Sequence, residues 1–165
     1  MIKTIIVTGS VCSGKTTFAK KLAKKIHFTY LDVNKLIKKN KKVIASYDSL
    51  RKTKEIRTSA LNRILLSIIK KEKRIIVDSH LSHYLPSKVV DLCIVCTCSL
   101  KTLKKRLEKR NYSKLKVKEN LEAEIFEVCL IDALEAGHNT IVINAEKNTT
   151  KQMRKITSRI FSSSV

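Results

Sequence analysis

Short apolar runs alternate along the chain with longer stretches in which apolar residues recur every three or four positions. The apolar runs predict strands at residues 2–8, 27–31, 74–78, 91–96 and 140–144. The periodic stretches predict helices at residues 18–26, 33–42, 59–71, 100–109, 117–136 and 151–161, the fifth of them capped by Gly137. Strands and helices that alternate in this way predict a parallel five-stranded sheet with helices on both faces.

The pattern is weakest between residues 43 and 58, where only a turn at 47–49 is predicted. A further turn is predicted at 110–114, between two helices. Because no repeat or low-complexity linker divides the chain, we expect one α/β domain over residues 1–165.

The first strand leads into a G-x-x-x-x-G-K-T motif, from Gly9 to Thr16, and a helical pattern follows at once. Strand, glycine-rich loop and helix in this order are the context in which the motif is a P-loop, which binds nucleotide phosphates. Gly9 and Gly14 let the main chain approach the phosphates, which the loop N–H groups and the helix dipole attract. Lys15 would add a mobile positive charge, and the Thr16 hydroxyl would bind Mg²⁺.

Asp78 ends the third predicted strand, which is otherwise continuously apolar. Parallel strands that are buried on both faces have this composition, and open α/β sheets bind ligands at the carboxyl ends of their strands. Asp78 is therefore the candidate Walker B carboxylate. The alternative is that Asp78 only caps the segment that follows it.

The composition fits a globular protein, with 165 residues of which 43% are hydrophobic and 30% charged. No apolar run approaches the roughly 20 residues that a membrane span needs, and the chain starts with a strand instead of a signal peptide. We therefore expect a cytoplasmic protein without membrane contact.

Five cysteines lie at positions 12, 93, 96, 98 and 129. A zinc site needs four ligands, and the run that contains Cys93 and Cys96 is typical of a buried strand, so reduced core thiols are favoured over a metal site. Cys12 is the candidate for thiol reactivity, because it lies beside a helix N-terminus.

The formal net charge is +21 and the isoelectric point is near 10.0. Such a charge attracts nucleic acid and would speed an encounter with RNA. The alternative is that the lysines, which are spread along every predicted helix, reflect a biased genome composition or a high-temperature, high-salt habitat.

Two further segments resemble one family. Asp78-Ser79-His80 is similar to the D-x-H segment that replaces an ordinary Walker B motif in the adenylate kinase isoenzyme six family, also called the coilin-interacting nuclear ATPase proteins. The run R-L-E-K-R-N-Y-S at 106–113 and the later E-I-F at 124–126 resemble the lid of that family and the helix after it. From residue 74 to residue 128 the resemblance has no gap, and with the P-loop it covers most of the chain.

The resemblance implies a three-layer P-loop NTPase fold of the nucleotide kinase type, with a monophosphate-binding segment at about 32–57 and a short lid at about 106–116. It implies ATP and Mg²⁺ as cofactors, phosphotransfer from ATP to AMP or another nucleoside monophosphate, and ATPase activity. It also implies a role in late maturation of the small ribosomal subunit, with a platform protein of that subunit, and rRNA as well, as partners.

The resemblance also implies roles for individual residues. Asp78 would orient Mg²⁺ through water, and His80 would position the attacking group or water. Arg110 would reach over ATP from the lid. The residues expected to bind ATP are Gly9, Cys12, Ser13, Gly14, Lys15, Thr16, Thr17 and Arg110.

The chemistry of phosphoryl transfer agrees with these roles, because the reaction needs positive charge around the three equatorial oxygens of the transferred group. Lys15, Arg106, Arg110 and Mg²⁺ can supply it. The expected catalytic residues are thus Lys15, Asp78, His80 and Arg106, and the expected metal ligands are Thr16 and Asp78. The alternatives are a solvated helix-end charge for Arg110 and a core or capping imidazole for His80.

Three positions or segments depart from the family pattern. Asn111 stands where the family has glycine, which is tolerable because asparagine is next best at positive φ. Thr97 replaces an arginine that often follows the fourth strand. The segment 32–57 is rich in lysine and has lost most acidic residues of the family, so that the candidate substrate-binding residues are Asp32, Asp48 and Arg51.

Three functions are compatible with these features. The first is a nucleoside monophosphate kinase with ATPase activity, which we expect to be a monomer. The second is a ribosome-assembly switch in which the nucleotide changes the affinity for a protein–RNA partner and AMP phosphorylation is incidental. The third is a kinase that uses the same P-loop on RNA or a small metabolite.

Overall fold

The computed structural model describes residues 2–51, 53–147 and 149–162. In chain order, its strands are β1 (Thr4–Thr8), β2 (Thr29–Asp32), β3 (Ile44–Asp48), β4 (Thr53–Ile56), β5 (Ile75–Asp78), β6 (Leu92–Thr97) and β7 (Thr140–Asn144). Five of them form a parallel sheet in the order β2-β5-β1-β6-β7. The predicted five-stranded parallel sheet is confirmed.

The central strands are apolar throughout because both faces of the sheet are covered. Every residue of β1 and of β5 is buried, as are the first five residues of β6. The helices that cover the sheet are α1 (Lys15–Ile26), α2 (Val33–Lys39), α3 (Thr58–Lys71), α4 (Leu100–Lys109), α5 (Lys114–Ile125), α6 (Val128–Glu135) and α7 (Thr149–Ser162). None of these helices, within the residues described, is long and apolar enough to cross a membrane.

Two core clusters lie on the two faces of the sheet. On one face Phe18 and Leu22 of α1 pack with Ile156 of α7. On the other face Leu65 of α3 packs with Ala133 of α6. A third, smaller cluster joins α4 and α5 to the loop after β1, and this cluster holds the predicted lid beside the P-loop.

A small hairpin was not predicted. β3 and β4 pair antiparallel as a separate two-stranded sheet, and the turn between them follows Asp48 instead of lying at 47–49. Most side chains of both strands are exposed, so the segment has no apolar alternation that a sequence pattern could reveal. The preceding helix, α2, also ends earlier than predicted, at Lys39, and a short 3-10 helix follows.

The predicted long helix at 117–136 is wrong, because the segment forms two helices, α5 and α6. Glu127 separates them with a left-handed φ of 50°. Glu124, in the last turn of α5, contacts the ends of two strands. Its Oε2 accepts a hydrogen bond from the hydroxyl of Ser10, after β1, at 2.5 Å, and its Oε1 accepts one from the N–H of Cys98, after β6, at 3.1 Å. These tertiary contacts fix the end of α5, whereas the apolar spacing continues across the break.

Two turns beside these helices lie where the sequence predicts them. The turn between α4 and α5 lies within the predicted segment 110–114, and Asn111 adopts a φ of 54°, which asparagine tolerates well. Gly137, predicted as a helix cap, follows α6 with a φ of 76°.

Candidate active site

The loop from Gly9 to Gly14 joins β1 to α1 and depends on its two glycines. Gly9 has a φ of 135°, and a Cβ atom there would lie 2.2 Å from the carbonyl oxygen of Cys96. Gly14 has a φ of 110°, and a Cβ atom there would lie 2.8 Å from the Cβ of Ala145. Both positions combine a left-handed backbone with a neighbour too close for a side chain, so the motif requires glycine at each.

Helix α1 begins at this loop without a side-chain cap. Gly14 is the N-cap residue, and no side-chain cap hydrogen bond is present among the residues that the structure describes. The N–H groups of this turn are therefore donors directed at the inside of the loop, where the helix dipole also favours negative charge. The arrangement can hold the phosphates of a nucleotide.

Lys15 places a cation inside the loop. Its side chain is only 7% exposed, and Nζ donates a hydrogen bond to the Ser10 carbonyl at 3.2 Å. Burial lowers the pKa of Lys15, and the nearby Asp78 carboxylate partly opposes that shift. A buried ammonium that its surroundings disfavour would be stabilised by an anionic ligand such as a polyphosphate.

Asp78 lies at the carboxyl end of β5, beside the loop. It is paired in the sheet with Val7 of β1 and with Asp32 of β2, and it is only 2% exposed. Its Oδ2 accepts a hydrogen bond from the Tyr30 hydroxyl at 2.8 Å, while its Oδ1 is buried with no partner among the described residues. A buried carboxylate oxygen without a partner is costly, and it indicates a place where a ligand binds.

These oxygen atoms fit a Mg²⁺ ion. Mg²⁺ prefers oxygen ligands, and in kinase sites one or two carboxylates hold it together with water and substrate phosphates. The Oδ1 of Asp78 and the hydroxyl of Thr16, on the first turn of α1, are the donors that would hold it, directly or through water. The ion would neutralise charge on the phosphate oxygens.

Tyr30 is a site residue that the sequence analysis missed. Burial and the hydrogen bond to Asp78 raise the pKa of its hydroxyl, so the phenol stays protonated and donates to Oδ2. Asp78 is thereby held in one orientation with Oδ1 free. A tyrosine in a short apolar strand is normally interpreted as a core residue, and the sequence holds no signal for this contact.

His80 follows Asp78 by two positions and is a neutral imidazole at physiological pH. Its pKa is lowered to about 4, mainly by burial and further by the charges of Lys15, His83 and Lys116. Because the charged form is disfavoured, His80 takes up a proton only well below its ordinary range. A neutral imidazole near the P-loop lysine can orient a nucleophile or accept its proton.

Arg106 lies on α4 and contacts the loop directly. Its Nη1 donates hydrogen bonds to the carbonyl oxygens of Cys12 and Ser13, both at 3.2 Å. The guanidinium has five N–H donors, so this contact holds the loop and leaves other donors for an anion. The interaction joins the predicted lid segment to the phosphate-binding loop.

Arg110 lines a cavity beside the phosphate-binding loop. The cavity has a volume of about 310 Å³. It adjoins the start of α1, so a nucleotide whose phosphates lie in the loop can place its base there. The residues that line the cavity are Cys12, Gly14, Thr17, Phe18, Lys21, Arg106, Arg110, Ala145 and Thr149.

Lys116 is a second site cation that the sequence analysis missed. It lies in the first turn of α5, which the Ser113 side chain caps, and its Nζ is 4.4 Å from the centre of the Tyr112 ring. Burial lowers the pKa of Lys116, and Lys116 in turn contributes to the lowered pKa of His80. Among so many lysines, only its place in the lid segment distinguishes it in the sequence.

The structure does not bring the three candidate substrate-binding residues together. Asp32 caps α2, where its Oδ1 accepts a hydrogen bond from the Lys35 N–H at 3.2 Å, although it also lies beside Asp78 at the sheet edge. Asp48 and Arg51 lie at the tip of the β3–β4 hairpin, where the Arg51 Nη1 donates to the Asp48 Oδ2 at 2.8 Å.

Arg51 also connects the hairpin to α5. Its Nε donates to the Glu119 Oε1 at 2.9 Å, and its Nη2 lies 2.7 Å from the same oxygen. The hydrogen bonds to Glu119 and Asp48 raise the pKa of Arg51 and keep it charged. The predicted monophosphate-binding segment is thus in contact with α5, the helix that begins within the predicted lid.

All five cysteines are free thiols. Burial raises the pKa of Cys93 to about 12 and that of Cys98 to about 11, so both are protonated at neutral pH. Cys12 is half-buried in the loop with a φ of 70°, and its reactivity stays a prediction.

Comparison with known proteins agrees with this geometry. A family model described as an AAA domain matches residues 5–127. The adenylate kinase isoenzyme 6 homolog of Caenorhabditis elegans is 32% identical over 157 residues, which cover 94% of this chain and 86% of that protein. The chain belongs to the adenylate kinase isoenzyme 6 family. The resemblance carried by the D-x-H segment and the lid is therefore confirmed.

A relative from an archaeon extends the match. A putative adenylate kinase of Methanocaldococcus jannaschii is 37% identical over 129 residues, which cover 78% of this chain and 71% of that protein. Family membership makes the chain an enzyme of the P-loop nucleotide kinase class.

Solved structures confirm the predicted fold class. The shikimate kinase from Acinetobacter baumannii in complex with shikimate has a TM-score of 0.67 at 13% identity, over 99% of this chain and 95% of that one. The deoxyadenosine kinase from M. mycoides with bound dATP has a TM-score of 0.58 at 16% identity, over 95% and 98% of the two chains. At these identities the similarity shows the P-loop kinase fold alone.

Proposed function

We propose that this protein transfers the γ-phosphoryl group of ATP to AMP or another nucleoside monophosphate, and hydrolyses ATP when water takes the place of the acceptor. The observation that carries the proposal is that three groups converge at one edge of the sheet. They are the buried Lys15 ammonium, the unpartnered Oδ1 of Asp78 and the neutral imidazole of His80. Family membership supports the same reaction.

In this proposal residues 1–165 form one kinase domain in which the nucleotide lies across the loop. The N–H groups at the start of α1 bind the phosphates, and Gly9 and Gly14 permit their close approach. The base enters the cavity that Arg110 lines, where the planar guanidinium can stack on it or bridge to a phosphate. The segment 32–57 receives the monophosphate, and the lid at 106–116 covers ATP.

Stabilisation of the transition state comes from the charges around the γ-phosphoryl group. Lys15 is already inside the loop, and Arg106 is bonded to its backbone, so neither cation must reorganise during the reaction. Thr16 and Asp78 would hold Mg²⁺, and Tyr30 keeps Asp78 oriented for that role. Such preorganisation is the main contribution that a protein makes to phosphoryl transfer.

His80 would act on the attacking group. As a neutral imidazole beside Lys15, it can accept a hydrogen bond from a water molecule or an acceptor and orient it towards the γ-phosphorus. The same contact serves hydrolysis and transfer, which explains how one site supports both. The contact between Arg51 and Glu119 would close the acceptor side and exclude water when a monophosphate is bound.

A coupled assay tests the proposal. We expect ADP formation from ATP to rise above the rate with ATP alone when AMP, CMP, UMP or GMP is added, and AMP to give the largest increase. The matching nucleoside diphosphate should appear in equal amount. Shikimate and a short RNA serve as acceptors for the alternative kinases. An unchanged rate with all four monophosphates would contradict the kinase proposal, and transfer to shikimate or RNA would replace it.

We further propose that the activity belongs to late maturation of the small ribosomal subunit, in the cytoplasm, with a platform protein and rRNA as partners. The charge of +21 supports contact with RNA, and free thiols fit a reducing compartment. In this form of the proposal the nucleotide changes the affinity for the partner, because the hairpin contacts α5, which begins in the lid, and a bound nucleotide would shift both.

Binding of small-subunit rRNA, measured from about 50 to 300 mM salt, tests this role. We expect the affinity to fall steeply, with a log–log slope of several units, because each neutralised phosphate releases a counterion. ADP and a non-hydrolysable ATP analogue should give different affinities, and an unrelated RNA of equal length is the control. An affinity that does not change with salt would show that the positive charge reflects composition and does not bind RNA. Equal affinities in all nucleotide states would contradict the proposal that the nucleotide controls binding of the partner.

A further inference from the structure

The segment that follows β5 is fixed to β1 by buried polar groups. Ser79, Ser82 and His83 are each at most 3% exposed. The Ser79 N–H and the Ser82 hydroxyl both donate hydrogen bonds to the carbonyl oxygen of Val7, at 3.2 and 3.3 Å. His80, which would orient the attacking group, lies between these anchored residues. Its position therefore depends on how they are held.

His83 connects the same segment to the start of the phosphate-binding loop. Its Nδ1 lies 2.8 Å from the Oγ1 of Thr8, and both side chains are buried. Thr8 is the last residue of β1, and Gly9, the first glycine of the loop, follows it directly. This hydrogen bond thus joins the segment that carries His80 to the loop that contains Lys15.

The rest of His83 is held by α6 and by the turn after that helix. Its Nε2 lies 3.5 Å from the Oδ2 of Asp132, and its carbonyl oxygen accepts a hydrogen bond from the His138 Nε2 at 2.9 Å. Because Nε2 faces a carboxylate, we assign the proton to Nε2, so that Nδ1 accepts the hydrogen bond from the Thr8 hydroxyl. Burial lowers the pKa of His83, although Asp132 opposes the shift, and the imidazole is therefore neutral at physiological pH.

These contacts leave His80 little freedom. On one side of it, Asp78 is paired in the sheet with Val7. On the other side, His83 is held at Thr8, the next residue of the same strand. His80 therefore spans two points that are fixed on adjacent residues of β1. Because a misplacement of about 1 Å can cost about 10²-fold in rate, such a constraint bears directly on catalysis.

We infer that His83 is a positioning residue for phosphoryl transfer. By accepting the Thr8 hydroxyl, it fixes His80 against the phosphate-binding loop, and it acts on the reaction through His80. The inference rests on the proposed function, in which His80 orients the attacking group. No sequence motif distinguishes His83, which lies three positions beyond His80.

Two substitutions at position 83 separate the contact with Thr8 from the packing of the side chain. The amide of asparagine takes the place of Nδ1 and can bond Thr8, whereas the amide of glutamine takes the place of Nε2 and faces Asp132. We expect His83→Gln to lower kcat for ATP hydrolysis about tenfold without changing the affinity for ATP, and His83→Asn to restore most of that loss. Equal rates in the two variants would overturn the inference.

Thr8→Val removes the hydroxyl on the other side of the contact and preserves the shape of the side chain. We expect the same loss of kcat, about tenfold, with unchanged affinity for ATP. Thr4→Val is the matched control, because Thr4 is a buried threonine at the opposite end of β1, and it should behave like the wild type. Circular dichroism and a thermal melt of every variant check that it folds.

A double-mutant cycle with His80→Ala tests whether the effect passes through His80. If His83 acts by positioning His80, then Thr8→Val and His83→Gln should each change kcat by less than about twofold in the His80→Ala background. A role in stability alone would lower kcat by the same factor in both backgrounds, and that result would overturn the inference.

NMR titration of the His80 imidazole provides a measurement that requires no catalysis. Burial lowers the pKa of His80 to about 4, so the ring of the wild type should stay neutral from pH 8 down to about 5. Release of the segment in Thr8→Val should expose the ring and raise its pKa towards the ordinary histidine range.

This titration distinguishes failure of the inference from failure of the proposed function. An unchanged pKa of His80 in Thr8→Val would overturn the inference even if the protein had no measurable turnover. A raised pKa in a protein that transfers no phosphoryl group would support the positioning of His80 by His83 and contradict only the proposed reaction.

Discussion

Lys15→Ala and Lys15→Met lose phosphotransfer and ATP hydrolysis together, each by about 10³-fold or more, if the proposed site is correct. One charge serves both reactions, because water and the monophosphate attack the same phosphorus atom. Lys15 is the cation inside the loop, whereas Arg106 is held by the backbone carbonyls of Cys12 and Ser13 and would have to give up those hydrogen bonds to replace it.

Lys15→Met should leave the free energy of unfolding unchanged or raise it. Burial lowers the pKa of Lys15, so the folded protein disfavours the charged form that the unfolded chain carries at neutral pH. A neutral methionine of similar shape removes this cost. A thermal melt beside both activity assays separates a lost charge from a lost fold.

Lys24→Met is the matched control, since Lys24 lies exposed in the last turn of the same helix. We expect it to retain full activity. An active Lys15→Met enzyme would disprove the assignment of the phosphate site, and a variant that loses only phosphotransfer would show that hydrolysis occurs elsewhere.

His80→Ala should lower the ATPase rate by about 10²-fold while the affinity for ATP stays nearly constant. His80 would position the attacking group in the transition state, so its loss should raise the barrier without weakening the binding of ATP. The measurement combines steady-state ATPase kinetics with titration of a fluorescent ATP analogue. Loss of ATP binding in this variant would instead give His80 a structural role.

The pH dependence of the wild-type enzyme provides an independent check on His80. Its pKa is lowered to about 4 because burial penalises the imidazolium, so the imidazole stays neutral as the pH falls through the ordinary histidine range. We expect His80 to cause no decline in kcat between pH 8 and about 5.5. The pH profiles of the wild type and of His80→Ala should therefore have the same shape in this range. A decline of kcat near pH 6.5 that disappears in His80→Ala would contradict a buried neutral imidazole.

His27→Asn is the control for the substitution of a histidine. His27 is exposed at the end of α1 with a φ of 56°, a conformation that asparagine adopts readily. We expect this variant to match the wild type in rate, ATP affinity and pH dependence.

Sequence periodicity predicts elements well where local and tertiary preferences agree. The central strands are apolar at nearly every position because both faces of the sheet are covered, and that composition is visible without a structure. The hairpin from Ile44 to Ile56 was missed because its side chains are mostly exposed and have no apolar alternation. The break at Glu127 was missed because the contacts of Glu124 with Ser10 and Cys98 come from distant parts of the chain.

The residues of the candidate site also fall into those that the sequence predicts and those that it does not. The P-loop is a local structure, in which the spacing of Gly9, Gly14 and Lys15 itself specifies the backbone that binds phosphate, so the sequence alone predicts it. Asp78 was predictable from its place after a buried strand. Tyr30 and Lys116 were not, because each acts through a side chain far away in sequence: Tyr30 bonds to Asp78, and Lys116 lowers the pKa of His80.

By itself, then, the sequence determined the parallel sheet, the phosphate-binding loop, the family and the residues at the ends of its strands, because each of these follows from short-range spacing. Only the tertiary structure decided that Arg106 donates hydrogen bonds to the loop backbone, that Arg51 contacts Glu119 on α5, and that the Tyr30 hydroxyl holds Asp78. Those features depend on the close approach of residues distant in the chain, which charge and periodicity do not encode.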